Sequence, residues 1–111
     1  MFKKEIIVKN CVIYCSIPNE FNANLIATTL VEDKLAACVN IIPKITSVYR
    51  WEGITQTDNE LLLVIKTQES KFDAIKSKII ELHEYSLPEI IALPIIMGNE
   101  EYQQWIVKAT E

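Results

Sequence analysis

The sequence predicts an α+β domain in which the elements follow the order βαββαβ, with a short helix at the carboxyl end. Three observations lead to this prediction: short apolar runs, two segments with helical apolar spacing, and two long strand-like segments joined by a polar turn. The 111 residues fit one domain, so we expect residues 1–111 to fold as a single unit.

The first strand is predicted at residues 11–17, "CVIYCSI", which is apolar and rich in β-branched and aromatic residues. Such a run is typical of a strand that is buried on both faces. Cys11 and Cys15 share one face of this strand because side chains alternate with a period of two. Core packing is the simplest interpretation of both thiols.

A helix is predicted next, from about residue 20 to residue 35. Asn19 or Asn22 can cap its first turn. Lys34 near its end would interact favourably with the helix dipole. Apolar residues four apart form the face that would pack on the sheet: Ile26 with Leu30, and Ala27 with Val31.

A long hairpin follows. Its first strand lies in residues 35–53, "LAACVNIIPKITSVYRWEG", and its second in residues 60–67, "ELLLVIKT". The apolar residues change parity across Pro43, and a single inserted residue has this effect. Because proline also lacks the N–H that a strand ladder needs, the sequence predicts a β-bulge at Pro43.

The second half of the chain again contains a helix followed by a strand. Residues 69–85 carry an amphipathic stripe, residues 87–98 form an apolar strand, and residues 99–111 form a closing helix. Pro94 indicates an edge or a bulge in the strand. We expect Asn99 to cap the last helix and Trp105 and Ile106 to anchor it. The stripe consists of Phe72, Ile75, Ile79 and Leu82. This order of elements is the ferredoxin-like pattern, an antiparallel sheet with two helices on one face.

Composition narrows the classes of function. The net charge is −4 and Arg50 is the one arginine, so no basic patch suggests a nucleic-acid partner. No run reaches the roughly 20 apolar residues that span a membrane, and the start of the chain does not resemble a signal peptide. We therefore expect a cytoplasmic protein with three free thiols and neither a nucleic acid nor a membrane as partner.

Motifs of catalysis are not found in the sequence. It contains no serine nucleophile elbow and no phosphate-binding glycine loop, and it has two glycines in all. A cysteine and a histidine together can support nucleophilic catalysis, but no third residue is marked to orient them. We do not expect an enzyme.

The side chains that can take part in most kinds of chemistry are the thiols of Cys15 and Cys38 and the imidazole of His83, the single histidine. Thiolate and imidazole together suit copper or zinc ions. The alternative for His83 is a hydrogen-bonded side chain at a helix end, where a cation is favoured.

The sequence resembles the CutA family, the divalent-cation-tolerance proteins, from about residue 11 to the end. The resemblance rests on five motifs in order: "LAACVN", "SVYRWEG", "ELLLVIKT", "HEYSLPEI" and G-x-x-x-Y-x-x-W at Gly98, Tyr102 and Trp105. It implies a ferredoxin-like subunit in a homotrimer, with hairpins that reach neighbouring subunits. Such contacts would cover the free hairpin edges. They would also bury part of the hydrophobic residues, which make up 50% of the sequence.

The resemblance also implies a copper site. Cys15 in "YCSIP" matches a cysteine assigned as a copper ligand in similar proteins, and His83 matches the second of two histidines. Leu82 replaces the first histidine, and Glu84 stands where the family usually has proline. One thiol and one imidazole do not complete a four-coordinate site, so Cys38, Glu60, Glu89 or a neighbouring subunit would have to add ligands.

A second group of polar residues falls at family positions that line a cleft between subunits: Glu60, Lys66, Tyr85 and Glu89. The alternative is that Glu60 and Lys66 form structural salt bridges, which contribute up to about 1 kcal/mol when exposed. Three functions therefore remain open: metal tolerance with copper or another divalent ion, a PII-like effector-binding module, and a structural scaffold that anchors a partner.

Overall fold

The structure is a computed structural model that describes residues 8–111. Any extension of the first strand before residue 8 lies outside these residues. The elements are β1 (Asn10–Ile17), α1 (Glu20–Glu32), β2 (Cys38–Trp51), β3 (Ile54–Gln68), α2 (Phe72–Leu82), β4 (Ile91–Pro94) and α3 (Glu100–Ala109). The predicted α+β class and the order of the elements are confirmed.

The four strands form one antiparallel sheet in the order β2-β3-β1-β4. Along β1, Cys11, Ile13, Cys15 and Ile17 are buried, and the residues between them are half-buried. The strand is therefore fully buried on one face only, not on both as predicted. That face packs against α1 and α2 around a core that includes Ile26, Leu30, Ile75 and Ile79.

The predicted bulge at Pro43 is confirmed. Ile42 pairs with Leu62 and Ile45 pairs with Glu60, so two residues of β2 oppose one residue of β3. Lys44 adopts the left-handed backbone conformation, with φ of 58°. A bulge bends its strand and increases the local twist, so we expect a change of direction at this point of the hairpin.

The outer half of the hairpin, residues 45–60, projects beyond the rest of the sheet. The last pair between β1 and β3 is Ile17 with Leu61, so from residue 60 outward β3 pairs with β2 alone. The described part of the chain is 61 Å long and 27 Å wide. We call residues 45–60 the hairpin arm.

The first helix is shorter than predicted. It ends at Glu32 rather than near residue 35, because Lys34 turns into the left-handed region with φ of 59° and Leu35 and Ala36 donate to the Leu30 carbonyl. Lys34 thus lies outside the helix. Val31, predicted on the packing face, is 42% exposed, whereas Asn19 caps the helix as one of the two predicted candidates.

The carboxyl end also differs from the prediction. The fourth strand covers only Ile91–Pro94, at the edge of the sheet, where a terminal proline interrupts no further ladder bond. Asn99 caps α3 as expected. Ile106 is buried, but Trp105 is 44% exposed and stacks on Tyr102 instead of anchoring the helix.

The third helix packs on the sheet face opposite α1 and α2. Asn10 donates to Gln103, and Gln68 donates to Thr110. Asn10 and Gln68 are paired across β1 and β3, and they alternate with the residues that face the core. Among residues 8–111, no helix is both long and apolar enough to cross a membrane.

Candidate functional site

His83 stands at the carboxyl cap of α2 and is 8% exposed. Its Nε2 lies 2.8 Å from the Ser16 carbonyl oxygen, and its Nδ1 lies 3.0 Å from the Tyr85 backbone nitrogen. Because a carbonyl can only accept and a backbone N–H can only donate, the ring carries its proton on Nε2 and accepts on Nδ1. Both ring nitrogens are therefore engaged within the chain, as in the structural alternative considered for this residue.

Cys15 lies on the core face of β1 and has no exposed surface. Its Sγ is 3.8 Å from the Ser16 carbonyl oxygen, the same atom that accepts from His83. The Cys15 thiol and the His83 ring thus meet at one backbone carbonyl. Burial, and next the negative charges of Glu89 and Glu60, raise the pKa of the Cys15 thiol to about 12.

Cys38 lies on the opposite face of the sheet. It pairs with Lys66 on β3, whereas Cys15 pairs with Leu63, and positions 63 and 66 point to opposite faces. Cys38 is close to Tyr102 of α3, where partial burial and the neighbouring thiol raise the pKa of the tyrosine hydroxyl. Within one chain, the structure brings Cys15 and His83 together but not Cys38.

A cavity of about 710 Å³ lies between the hairpin arm and the loop after α2. Three carboxylates line it, from Glu60, Glu84 and Glu89, as do three aromatic rings, from Tyr49, Trp51 and Tyr85. Ser16 and Arg50 also contribute to the wall. Its volume lies in the range of small-molecule sites.

Glu60 is the buried charge of this cavity, with 6% of its surface exposed. The Tyr85 hydroxyl donates to its Oε2 at 2.9 Å. Burial, followed by this hydrogen bond to a carboxylate, raises the pKa of the Tyr85 hydroxyl. A second pair of the same type lies beside it, since the Tyr49 hydroxyl donates to Asp58.

Lys66, the remaining residue predicted for the cleft, does not line the cavity. It shares a face of β3 with Glu60 but is six residues further along, about 20 Å away at the rise of an extended strand. Of the four predicted cleft residues, the fold therefore brings Glu60, Tyr85 and Glu89 to one cavity. Within the described residues, no three histidine, cysteine or acidic side chains are grouped so that they could hold a metal ion.

Comparison with known proteins agrees with this fold over nearly the whole chain. Residues 11–109 match the family described as CutA1 divalent ion tolerance protein. The chain belongs to the CutA1 family. The resemblance predicted from the five motifs is thereby confirmed.

Relatives in the CutA1 family include proteins from bacteria, plants and vertebrates. The chain is 48% identical over 99 residues to the divalent-cation tolerance protein CutA of Thermus thermophilus, covering 89% of this chain and 96% of that protein. It is also 48% identical over 103 residues to the chloroplastic protein CutA 1 of Oryza sativa. That match covers 93% of this chain, which spans 58% of the length of the rice protein.

The solved structure of CutA1 from Oryza sativa has the same fold. It superposes with a TM-score of 0.91 at 48% identity, and the match covers 94% of this chain and 95% of that one. The family match over residues 11–109 includes the loop that carries His83 and Tyr85.

Two contributors to the site were not predicted from the sequence. The Ser16 carbonyl joins Cys15 to His83, and Asp58 fixes the Tyr49 hydroxyl. A backbone carbonyl leaves no signature in the sequence. Asp58 carried a weak signal, because a residue near a hairpin turn pairs with one at a similar distance on the other side. Here that residue is Ser47, which lies two residues before Tyr49 on the same face of β2.

Proposed function

We propose that this CutA1 family member acts in divalent-cation tolerance as a homotrimer and binds copper through Cys15 and His83. The observation that carries the proposal is the meeting of the Cys15 thiol and the His83 ring at the Ser16 carbonyl. Thiolate is a soft ligand that favours copper, and imidazole binds both oxidation states of copper. The name of the Thermus thermophilus relative, a divalent-cation tolerance protein, supports the same role.

Copper binding requires two changes at these residues. The Cys15 thiol must lose its proton, which its pKa of about 12 opposes at neutral pH. His83 must also free one ring nitrogen for the metal. It must lose either the Nε2 proton that it donates to the Ser16 carbonyl, or the hydrogen bond that its Nδ1 accepts from the Tyr85 backbone N–H. We therefore propose that metal binding moves the loop after α2 and that affinity rises with pH.

Two ligands leave the coordination incomplete. Glu60 and Glu89 act electrostatically on Cys15, but within residues 8–111 no third histidine, cysteine or acidic side chain is grouped with a pair of this kind to hold a metal, so either the loop after α2 moves or a neighbouring subunit adds ligands. Cys38, on the other face of the sheet, can join only by binding a separate ion or by reaching a site of another subunit. Leu82, which removes a histidine found in some relatives, makes this site weaker than a site with two imidazoles.

The hairpin arm supports the homotrimer. Val48, Trp51 and Ile54 expose 66%, 45% and 62% of their surface on it. Two-stranded ribbons of this length are marginal in water when nothing covers them, and their free edges invite pairing with another chain. A neighbouring subunit would cover both the edges and these side chains.

The test is titration calorimetry of the reduced protein with Cu(I), Cu(II) and Zn(II), on the wild type and on Cys15→Ser, His83→Ala and Cys38→Ser. We expect Cys15→Ser and His83→Ala each to weaken copper binding at least about tenfold, since each removes one ligand, and Cys38→Ser to leave it unchanged. Equal copper affinity in the wild type, Cys15→Ser and His83→Ala would refute the proposed site.

We propose that the protein is a binding protein of the cytoplasm and not an enzyme. The names of the relatives, which are tolerance proteins or CutA proteins, support a role other than catalysis. The free thiols of Cys11, Cys15 and Cys38 suit a reducing compartment. Cell fractionation with an antibody to the protein tests the location, and recovery outside the cytoplasmic fraction would contradict it.

A further inference from the structure

The side-chain amide of Asn22 bonds the backbone on both sides of His83. Its Nδ2 donates to the Leu82 carbonyl oxygen at 3.0 Å, and its Oδ1 accepts from the Glu84 backbone N–H at 3.4 Å. Asn22 lies in the first turn of α1 and is 2% exposed. Buried polar side chains whose hydrogen bonds are made rigidify the structure around them. The peptide groups that flank His83 are therefore tied to the first helix.

A second contact holds the same loop at the surface. The Asn19 Nδ2 lies 3.1 Å from each carboxylate oxygen of Glu84, while the Asn19 Oδ1 caps α1 by accepting from the Asn22 backbone N–H at 2.8 Å. Asn19 thus holds Glu84 with one end of its amide and the helix with the other. We call Asn19 and Asn22, with their bonds to residues 82–84, the α1 latch.

Both ring nitrogens of His83 are engaged while the α1 latch is closed. Nε2 donates to the Ser16 carbonyl, and Nδ1 accepts from the Tyr85 backbone N–H. An imidazole binds a metal ion through a ring nitrogen that carries no proton, so one of these bonds has to break first. Movement of the loop backbone would break either bond, and the bonds of Asn22 to residues 82 and 84 oppose that movement. A metal ion at His83 therefore competes with the α1 latch.

We infer that the α1 latch positions His83 in this closed state and that its release makes the imidazole available to a metal ion. Because metal binding is the outcome, this regulation rests on the copper site proposed above. The apparent affinity of a ligand falls with the fraction of the protein that is competent to bind it. Variants that open the latch should therefore bind copper more tightly, whereas loss of a side chain that only supports the fold would weaken binding.

The test first measures the availability of His83 without a metal. Diethyl pyrocarbonate acylates a free imidazole nitrogen, and the ultraviolet absorbance of the product reports on His83 alone because it is the single histidine. Asn22→Ala should raise the rate of acylation at least about tenfold, since it leaves two backbone groups unpaired in the closed state. Asn24→Ala is the matched control and should have no effect, because this asparagine donates to the Glu20 carbonyl within α1.

A second variant opens the latch and keeps the helix cap, so it serves even if Asn22→Ala does not fold. Asn19→Asp retains an acceptor for α1 but places a carboxylate against Glu84, and acylation should become about threefold faster. Adding Glu84→Lys to Asn19→Asp brings opposite charges together and should return the rate toward that of the wild type. Glu81→Ala removes an exposed carboxylate of α2 that pairs with Lys78 and should have no effect.

Copper titration of the same variants separates the latch from the copper site. We expect Asn22→Ala and Asn19→Asp to bind copper more tightly than the wild type, in the order of their acylation rates. Unchanged acylation in both variants, or equal acceleration in Asn24→Ala, would overturn the latch. Faster acylation with unchanged copper affinity would overturn its effect on metal binding and leave the copper site in place. Equal copper affinity in the wild type, Cys15→Ser and His83→Ala would refute the copper site, and the acylation rates would still decide the latch.

Discussion

The Tyr85 hydroxyl donates a hydrogen bond to the Glu60 carboxylate at 2.9 Å, and this bond ties the loop after α2 to the base of the hairpin arm. The next contact along the loop is between His83 and Tyr85, whose backbone N–H donates to the imidazole. Tyr85 is therefore shared by the proposed copper site and the cavity.

Removing the Tyr85 hydroxyl should destabilise the protein. Tyr85→Phe leaves the buried Glu60 carboxylate without its donor, and we expect the free energy of unfolding to fall by about 1 to 2 kcal/mol. Urea denaturation measures the change. Tyr14→Phe is the matched control, because no hydrogen bond of the described residues involves the hydroxyl of this half-buried tyrosine. Equal losses in the two variants would mean that the Tyr85 bond contributes nothing specific.

At the bulge, we expect the position of Lys44 not to tolerate β-branched residues. Lys44 has φ of 58°, where a branched side chain clashes with its own backbone. Lys44→Val should therefore lower the free energy of unfolding by about 1 to 2 kcal/mol, whereas Thr46→Val, at an exposed strand position two residues on, should change it by less than about 0.5 kcal/mol. Chemical denaturation of both variants provides the comparison. If Lys44→Val is as stable as Thr46→Val, the backbone at Lys44 does not hold this conformation in solution.

The buried thiol predicts a loss of stability in alkali. The pKa of Cys15 is about 12 in the folded protein and near 9 when the thiol is exposed to water. Below pH 9 the thiol is protonated in both the folded and the unfolded state, so it has no effect on the pH dependence of stability. Between about pH 9 and 12 the thiol ionises only in the unfolded state, and this ionisation stabilises the unfolded state. The free energy of unfolding should then fall by up to about 1.4 kcal/mol per pH unit more than in Cys15→Ala. Denaturation curves recorded from pH 8 upward give both slopes, and identical slopes would show that Cys15 titrates normally.

The hairpin arm predicts a homotrimer that a charge on the arm would disrupt. Sedimentation equilibrium at micromolar concentration should give three times the 12.7 kDa mass of one chain. Val48→Asp should shift the protein toward monomers, because it places a carboxylate in the proposed subunit contact. Phe21→Asp is the control, a change of the same type on the outer surface of α1 at a residue that is 78% exposed. A wild-type mass of 12.7 kDa, or equal masses for wild type and Val48→Asp, would contradict this assembly.

Periodicity predicted most of the fold because each of its signals is local. The spacing of Ile75 and Ile79 indicated which face of the second helix is buried, and Pro43 marked the bulge through the change of parity around it. The end of α1 was missed because a lysine in the left-handed conformation, Lys34, carries no sequence signal comparable to that of glycine.

The site was less predictable because its bonds join distant parts of the chain. Ser16 and His83 are 67 residues apart, and Glu60 and Tyr85 are 25 apart. An acidic residue at the start of a strand-like run is usually exposed, so the burial of Glu60 followed only from the three-dimensional structure. The separation of Cys15 from Cys38 likewise depends on strand register, which composition does not determine.

X-ray absorption spectroscopy at the copper edge, on protein loaded with one equivalent of copper, tests the proposed function most directly. We expect one sulfur ligand and at least one imidazole, with the sulfur lost in Cys15→Ser, the imidazole lost in His83→Ala, and both retained in Cys38→Ser. Copper bound by oxygen and nitrogen alone, or a sulfur that disappears in Cys38→Ser and persists in Cys15→Ser, would contradict it.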